Sequence, residues 1–517
     1  MMRKPTVNKE SRIQREELAV RMATRVSAPY YLDLCTPLVG KSTTTVEFNS
    51  CMYSLNVGRV KLCKELLGCL DALDLGRYPV LYDQEHSELS KVGPKSWIPC
   101  VPWWRDGLEP YFKSLHTSWD GAALLRAQEK VWQLIGSKFQ AGRFSEMRGV
   151  TFPKSTFSGM PWLTKTSEVE SDVIAEAIEQ FEELKSSGHL RYYYPSVLGH
   201  RGQSKGNSAM SKARVVWQYP KSSVVVGLSW FKSVQPQLSL IPNWFVGWRP
   251  QVDIDRAICD ILNLAISSRV PVYSLDFTQF DATISPKLVQ YYFERCEEVN
   301  VPLIGLLEDF FSSKIITPDG ISSSRDHGVP SGHAWTNLVD SLANMTCLFY
   351  VAERAKVHVL TGSVLGDDSV VVFSKRIPME DLVGFASELG MKINGEKTVV
   401  SHQKAHFLQR IYWQGSNVGV RSLVRTLGSM ISLERFEPEM SVYYNEARWW
   451  MQLAEVHTHP FRRVLLDLVK SRDSYGLMVG EETKIREEIA TTNLKDKNAW
   501  RMLKDPSSLS FWFLSPD

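Results

Sequence analysis

Apolar and polar positions repeat with two different periods along this chain, and together they predict a mixed α/β fold. Apolar residues three and four positions apart predict helices, at 60–73, 122–138, 168–187, 288–299, 334–353, 379–389 and through most of the chain after Arg425. Short β-branched runs predict buried strands, at 213–217, 270–277, 357–364 and 369–373. The link Leu365-Gly-Asp-Asp368 between the last two strands predicts a hairpin, because Gly and Asp favour tight turns.

Residues that interrupt these periods predict the connections. The aromatic, proline-broken stretch 97–106 predicts a packed crossing strap rather than a helix or a strand. Gly and Pro predict loops at 153–165 and 328–332. Ser167 is the predicted N-cap of the helix that follows the first loop, and Gly390 is predicted to end helix 379–389.

Composition indicates a globular protein with an uneven charge distribution. The 517 residues are 44% hydrophobic, which is enough for a large core and roughly two to four domains. The net charge is only +3, yet the stretch from Lys185 to Gln251 contains nine Lys and Arg and no Asp or Glu. Two interpretations stay open: a solvated, loop-rich surface, or the wall of a channel for phosphate groups.

The cysteine spacing and the apolar runs indicate the cellular compartment in which the protein works. The eight cysteines form no Cys-x-x-Cys pair and no zinc-like spacing with His, so we expect reduced residues of an intracellular protein. No apolar run reaches the length of a membrane helix, and the first residues lack the apolar segment of a secretory signal. His457 and His459 have no third ligand nearby in sequence and are expected on the surface.

Acidic residues at the predicted strand ends are candidate metal-binding residues. Asp367 and Asp368 lie on the predicted hairpin turn, and Asp276 ends another apolar strand, five residues before Asp281. A Gly-Asp-Asp triplet alone is usually only a turn. If the two strands are neighbours in one sheet, however, Asp276 and Asp367 can converge. Carboxylate oxygens suit Mg²⁺ or Mn²⁺, and two such ions about 3.5–4 Å apart can support phosphoryl transfer.

These residues resemble the viral RNA-dependent RNA polymerases. Asp276-Phe-Thr-Gln-Phe-Asp281, Ser331-Gly332 with Thr336, and Gly366-Asp-Asp368 resemble three palm segments of that family, in its order and spacing. Further matching segments, also in order, are Ser158-Gly159-Met-Pro161, Lys212-Ala-Arg214, Gly395-Glu-Lys397-Thr and Phe407-Leu-Gln-Arg410. The resemblance covers roughly residues 151–415 and is strongest to double-stranded RNA viruses of the picobirnavirus and partitivirus kind.

The resemblance implies an α+β, closed right-hand polymerase of fingers, palm and thumb. The palm is expected to contain a ferredoxin-like antiparallel sheet, and the fingers and thumb to be rich in helices. Residues 1–150 would bridge fingers and thumb. Residues 151–415 would form interleaved fingers and palm, with the fingers mainly at 151–250 and 285–325. Residues 416–517 would form the thumb and a tail whose aromatic residues dock on the thumb or reach the active site.

The resemblance also implies roles at the centre of the site. Asp276 and Asp367 would bind two Mg²⁺ or Mn²⁺ ions, with Asp368 assisting. Asp281, together with Asn337, would contact the ribose 2′-hydroxyl, although Asp281 could instead cap the following helix. Many positive-strand virus enzymes have Asn where this chain has Asp340, with Asn337 and Asn344 nearby, which leaves open the residue that completes this contact.

Other segments are implied to bind the nucleotide and RNA. Ser331, Gly332 and Thr336 would adjust around the nucleotide in a flexible loop, although Thr336 could simply bond its own backbone. Lys212 and Arg214 share one strand face and would bind the triphosphate, with a solvated strand edge as the alternative. Lys397 is the candidate general acid, against an exposed loop lysine or the competing Lys392. The implied RNA contacts are Ser158, Gly159, Pro161, Arg201, Lys205 and Arg410.

The implied function is RNA-directed RNA synthesis for replication and transcription of a viral genome. The expected partners are template RNA, nascent RNA, ribonucleoside triphosphates and a viral capsid protein, with no membrane, inside the virion and in the host cytoplasm. Two other classes stay open. A non-catalytic RNA-binding protein would explain the basic stretch but not the ordered acids. A reverse transcriptase would have a bulky residue in place of Asp281 to exclude the 2′-hydroxyl.

Overall fold

The structure is a computed structural model that describes residues 58–95, 103–190, 194–204, 206, 212–297, 303–432 and 442–473. Its helices are α1 (Arg59–Ala72), α2 (Pro79–Leu89), α3 (Trp103–Phe112), α4 (Gly121–Phe139), α5 (Glu170–Ser187), α6 (Lys221–Ser239), α7 (Gln251–Ser268), α8 (Gln290–Glu297), α9 (Leu303–Ser312), α10 (Thr336–Arg354), α11 (Met379–Glu388), α12 (Leu423–Ile431), α13 (Val442–Ala454) and α14 (Arg462–Arg472). Its strands are β1 (Ser196–Gln203), β2 (Lys212–Gln218), β3 (Val272–Leu275), β4 (Ile315–Thr317), β5 (Gly320–Ile321), β6 (Val359–Leu365), β7 (Asp368–Phe373), β8 (Val399–Ser401), β9 (Lys404–Phe407) and β10 (Arg410–Trp413). The predicted C-terminal tail lies outside the described residues.

The sheet that carries the predicted acids is antiparallel and has the strand order β6-β7-β3-β8. In chain order its strands and the helices α10 and α11 follow a β-α-β-β-α-β plan, which is the ferredoxin-like arrangement. Successive residues of β7 face opposite sides, so Val370 and Val372 pack with α7 while Val371 and Phe373 join the core around α10. Burial on both faces explains why these strands are continuously apolar in sequence.

A second sheet has the order β2-β1-β4-β5, and helix α3 covers it. The predicted crossing strap is wrong for residues 103–106, which begin α3; residues 97–102 lie outside the described part. The helix forms because Trp104, Leu108 and Tyr111 share one face and are buried against this sheet. Pro110 near its end removes only one backbone donor.

The start of helix α5 also differs from the prediction. Residues Thr166–Glu168 form a separate 3₁₀ turn, so Ser167 does not cap the helix. Val169 occupies the N-cap position and provides no side-chain cap. The acidic residues Glu170 and Asp172 in the first turn stabilise this helix end instead, because negative charge interacts favourably with the helix dipole.

Helices α1 and α2 form one apolar core with α12, α13 and α14, although more than 300 residues of sequence separate the two groups. Fully buried Glu85 in α2 connects them, because its carboxylate accepts hydrogen bonds from the Ser422 hydroxyl at 2.7 Å and from the Leu423 and Val424 backbone N–H groups, both at 2.9 Å. Nε2 of His459 lies 3.3 Å from the same carboxylate. The predicted surface position of His459 is therefore wrong, since its side chain is fully buried.

None of the helices in the described ranges has both the length and the apolar character needed to cross a membrane.

Candidate active site

Strand register brings three carboxylates to one end of the central sheet. Leu275 at the end of β3 pairs with Ser369 of β7, so the next residues, Asp276 and Asp368, are neighbours across the two strands. Leu365 pairs with Asp368, which leaves only Gly366 and Asp367 as the turn. The hairpin is thus tighter than predicted, and Gly366 permits it by adopting a φ of +63°.

A cavity of about 710 Å³ opens above these strand ends. Its charged lining residues come from segments far apart in sequence: Asp106, Lys212, Arg214, Asp276, Asp281, Asp367 and Lys397. Lys212 and Arg214 are exposed and lie on β2, an edge strand. The sequence predicts all of these as site residues except Asp106, and their roles stay predictions.

The acids at the sheet end disfavour one another's ionisation. Burial raises the pKa of Asp276; Lys397 opposes that increase and Asp367 adds to it. Burial, followed by Asp367 and Asp276, raises the pKa of Asp368 to about 7. A divalent cation would relieve this repulsion, and carboxylate oxygens are suitable ligands for Mg²⁺ or Mn²⁺. No group of three His, Cys, Asp or Glu side chains is already arranged to hold a metal within the described ranges, so the ligand set stays a prediction.

Asp281 faces the same cavity and lies near a cation. Oδ2 of Asp281 is 4.0 Å from Nη2 of Arg214. Burial raises the pKa of Asp281, Arg214 lowers it, and Asp367 raises it. The alternative role as an N-cap is not observed, because Phe280 has that position in the 3₁₀ turn Asp281–Thr283.

The loop at 328–332 packs tightly against β2. The Trp217 backbone N–H donates to Oγ of Ser331 at 3.2 Å. A Cβ on Gly332 would lie 1.7 Å from the Trp217 carbonyl oxygen, so only glycine fits there. Gly332 is therefore explained by close backbone approach, not by the mobility that the sequence suggested. The Thr336 hydroxyl donates to the backbone carbonyls of Pro330 and His333, at 2.7 and 3.0 Å. This bonding to backbone is the alternative to the predicted nucleotide contact.

Arg325 holds this loop from the other side. Its buried guanidinium donates to the backbone carbonyls of Phe310, Ser313, His327 and Gly328 and to the Ser313 hydroxyl. The same group lies 4.5 Å from the ring centroid of Trp217. Next to it, the Val329 N–H donates to the Asp281 carbonyl at 2.7 Å. Arg325 thus connects helix α9, the loop and the strand that carries Arg214.

Helix α10 fixes the hairpin turn through Ser341 and Asn344, a role that the sequence did not predict for either residue. Ser341 Oγ accepts the Gly366 N–H at 2.8 Å. Asn344 Nδ2 donates to the carbonyls of Gly366 at 2.9 Å and Asp367 at 3.2 Å. Asn337, predicted to contact the ribose, accepts from Trp248 Nε1 at 2.8 Å. A run of polar residues at helical spacing, 337, 341 and 344, is the sequence signal that could have identified this face.

Asp340 is a buried carboxyl behind the cavity. Its Oδ1 has no hydrogen-bond partner among the described residues. Burial raises its pKa well above the ordinary value, and Asp281 and Asp367 raise it further. The carboxyl is therefore favoured in its neutral form, in which its shape and lack of charge resemble those of Asn.

We predict that Asp340→Asn increases thermal stability at pH 8 and has little effect at pH 4. A carboxyl whose pKa is higher in the folded state than the unfolded value of about 3.9 costs stability as the pH rises above that value. Asn has the same shape and no charge. Melting temperatures across this pH range test the prediction, with Asp467→Asn on the exposed face of α14 as the control. An equal effect at both pH values would contradict it.

Two predicted RNA contacts are buried, and this corrects their assignment. The fully buried Ser158 accepts the Thr164 N–H at 3.2 Å and stabilises its own loop. Arg410 is 5% exposed and donates to the carbonyls of Gly419 and Glu455. In both cases a short motif specifies the residue type but not its burial.

The other predicted RNA contacts have different positions. Gly159 is buried, with a φ of +69°, against the Tyr219 carbonyl. Pro161 is half-buried. Arg201 is exposed and lines a second cavity, and Lys205 lies outside the described residues.

Lys397 is better placed than Lys392 for chemistry in the cavity. Lys397 lines the cavity together with Asp276 and Asp367, and its positive charge lowers the pKa of Asp276. Both lysines are exposed, so the alternative of an exposed loop lysine stays open for Lys397, but Lys392 does not line the cavity.

Sequence comparisons with known proteins point to one family. A profile of the family described as viral RNA-dependent RNA polymerase matches residues 150–465. A potential RNA-dependent RNA polymerase of a human picobirnavirus is 26% identical over 450 residues, which cover 81% of this chain and 81% of that protein. An RNA-directed RNA polymerase of Cryptosporidium parvum virus 1 is 25% identical over 378 residues, covering 66% of this chain and 69% of the relative.

Solved structures agree on the fold. The crystal structure of the RNA-dependent RNA polymerase of a human picobirnavirus has a TM-score of 0.75 and 20% sequence identity, and the match covers 93% of this chain and 95% of that one. A variant of that polymerase lacking an insertion loop has the same TM-score, with 21% identity. The likeness extends to residues before position 150 as well as to the central sheet.

Proposed function

This chain belongs to the viral RNA-dependent RNA polymerases, and from that premise we propose that the cavity above Asp276 and Asp367 is its site of nucleotidyl transfer. The observation that supports this assignment is the convergence of Asp276, Asp281 and Asp367 with Lys212, Arg214 and Lys397, from four separate segments, on one cavity. The segment 151–415 would form the fingers and palm of a right hand, and the core shared by α1, α2 and α12 to α14 would form its thumb.

Asp276, Asp367 and Asp368 would hold two Mg²⁺ or Mn²⁺ ions. Such ions, when bound, lower the pKa of the attacking primer 3′-hydroxyl and neutralise charge on the phosphates. Ser341 and Asn344 would keep the turn rigid, because they bond its backbone and leave the Asp367 carboxylate directed into the cavity.

The remaining lining residues would bind and orient the ribonucleotide. Lys212 and Arg214 would bind the triphosphate through charge-assisted hydrogen bonds. Asp281 would accept a hydrogen bond from the ribose 2′-hydroxyl, and this contact favours ribonucleotides. Lys397 would hold a proton at Nζ and transfer it to the pyrophosphate as it leaves.

We expect template-directed incorporation of ribonucleotides in the presence of Mg²⁺ or Mn²⁺, with deoxynucleotides disfavoured by up to about 10⁴-fold because a polar contact would be left unpaired. The measurement is extension on poly(C) or poly(U) with ribo- or deoxynucleoside triphosphates. Equal use of both nucleotide types would indicate a reverse transcriptase. RNA binding without incorporation would indicate a non-catalytic RNA-binding protein.

The biological setting follows from the same proposal. The enzyme would replicate and transcribe a double-stranded RNA genome, in contact with a viral capsid protein. It would work inside the virion and in the host cytoplasm without a membrane partner.

A further inference from the structure

Helix α3 contributes one wall of the proposed nucleotidyl-transfer cavity. Pro110 and Tyr111, near the end of the helix, line that cavity. The start of the helix is fixed elsewhere, because the Asp319 carboxylate accepts hydrogen bonds from the side chains of Trp104 and Arg105, at 2.7 to 3.0 Å. The position of the other end, and with it the shape of this wall, depends on a separate set of contacts.

Those contacts join the end of α3 to the loop that follows Arg325. The Tyr111 hydroxyl donates to the Val329 carbonyl at 3.3 Å, and a Cβ on Gly328 would lie 2.6 Å from the Tyr111 ring. The same piece of loop supports the opposite side of the cavity, because the Val329 N–H donates to the Asp281 carbonyl at 2.7 Å. A change in how α3 meets the loop would therefore also reach Asp281.

His327 connects the loop to the end of α3 through a side chain that is only 4% exposed. Its Nδ1 lies 2.7 Å from Oδ1 of Asp326, and its Nε2 lies 3.1 Å from the backbone carbonyl oxygen of Pro110. A carbonyl oxygen and a carboxylate both accept hydrogen bonds and donate none. A neutral imidazole has one N–H and can satisfy only one of them, whereas the imidazolium has two and satisfies both. We call this pair of contacts the α3 bridge.

The charges around the ring favour the imidazolium. The Asp326 side chain is 95% exposed, so water keeps its carboxylate solvated. The hydrogen bond from His327 lowers the pKa of Asp326; burial opposes that decrease, and the positive charge of the ring adds to it. The other titratable groups on the loop, α3, the turn 281–283 and β2 are Arg325, Glu109, Tyr111, Lys113, Asp281 and Arg214. Glu109 and Lys113 pair with each other at 2.8 Å, and Arg325 contacts the His327 backbone carbonyl rather than the ring.

We propose that His327 is a positioning residue for nucleotide use, and that its doubly protonated ring holds the end of α3 against the loop that supports Asp281. Histidine side chains change charge between about pH 5 and 8. The α3 bridge is therefore complete at low pH and loses one of its two bonds as the pH rises, which weakens nucleotide binding. The inference rests on the proposed function for the role of the cavity, but the proton-dependent bridge can be measured without catalysis.

The test variant is His327→Gln. Its amide can donate to the Pro110 carbonyl but cannot also donate to Asp326, so it imitates the neutral ring at every pH. A second variant, Asp326→Asn, changes an exposed side chain and removes the negative charge that favours the imidazolium. The matched controls are His86→Gln and Asp71→Asn, from a more exposed His–Asp pair with Nε2 and Oδ1 3.2 Å apart.

The first measurement is thermal unfolding at pH 6.5 and pH 9 without metal or nucleotide. The proton-bound ring is the stabilising form, so its contribution is present at low pH and lost as the pH rises. We expect each test variant to lose roughly 2 °C more, relative to the wild type, at pH 6.5 than at pH 9. A loss that is equal at both pH values, or no greater than that of the controls, overturns the proposal whether or not the protein polymerises RNA.

The second measurement is the KM for a ribonucleoside triphosphate in primed extension. We expect His327→Gln to raise this KM roughly fivefold over the His86→Gln control at pH 6.5 and about twofold or less at pH 9, with kcat nearly unchanged. At pH 9 the wild type also has the neutral ring, which is why the difference should disappear. A residue that only supports the fold would change the KM by the same factor at both pH values, and that result overturns the positioning role. Absence of incorporation by the wild type would instead contradict the proposed function, and the melting data would still decide whether the bridge depends on a proton.

Discussion

Asp367→Ala is expected to reduce single-nucleotide incorporation on a primed RNA template by roughly a thousandfold or more. Loss of a metal-binding carboxylate removes several kcal/mol of transition-state stabilisation, and each ~1.4 kcal/mol changes the rate about tenfold. The hairpin turn should keep its conformation, because Ser341 and Asn344 bond its backbone rather than the Asp367 side chain.

Stability separates loss of chemistry from loss of fold in this variant. In metal-free buffer at pH 8, Asp367→Ala should melt no lower than the wild type, since it removes repulsion on Asp368, whose pKa is raised to about 7 by burial and then by Asp367 and Asp276. Asp83→Ala, at an exposed position on α2, is the control and should keep full activity. Incorporation within tenfold of the wild type, or inactivity with a much lower melting temperature, would contradict the assignment.

The positions of Asp276 and Asp367 could be predicted because local patterns determine them. β-branched runs form strands. The first polar residue after a strand that is buried on both faces lies where the strands of the sheet end. Their convergence required the two strands to be neighbours in one sheet, and the pairing of β3 with β7 meets that condition. The chemical roles of the acids stay predictions.

Contacts between distant segments could not be predicted in this way. The pairing of Glu85 with the start of α12 depends on two segments more than 300 residues apart, and neither has a local pattern that indicates its partner. Arg410 is predicted to contact RNA because its segment, Phe407-Leu-Gln-Arg410, resembles a family segment, yet backbone carbonyls bind it in the interior. Burial of a polar residue depends on tertiary partners, which one sequence does not reveal.

Arg325→Met is expected to lower the free energy of unfolding by about 4 kcal/mol, the largest loss among the substitutions considered. Met fills much of the volume but donates no hydrogen bond, and an unpaired buried polar group costs roughly 1–3 kcal/mol. Five acceptors would lose their donor, although relaxation of the loop would recover part of the cost.

Arg325→Lys should recover little of that stability, because one ammonium group cannot reach acceptors on both sides of a planar guanidinium. Either change should also weaken nucleotide use, since Arg325 holds the loop that bonds Asp281 and packs on Trp217 of the strand carrying Arg214. Urea unfolding and the KM for the nucleotide measure the two effects, with Arg256→Met at an exposed site as the control. A Lys variant as stable as the wild type would show that charge alone, without the fork of donors, holds the loop in place.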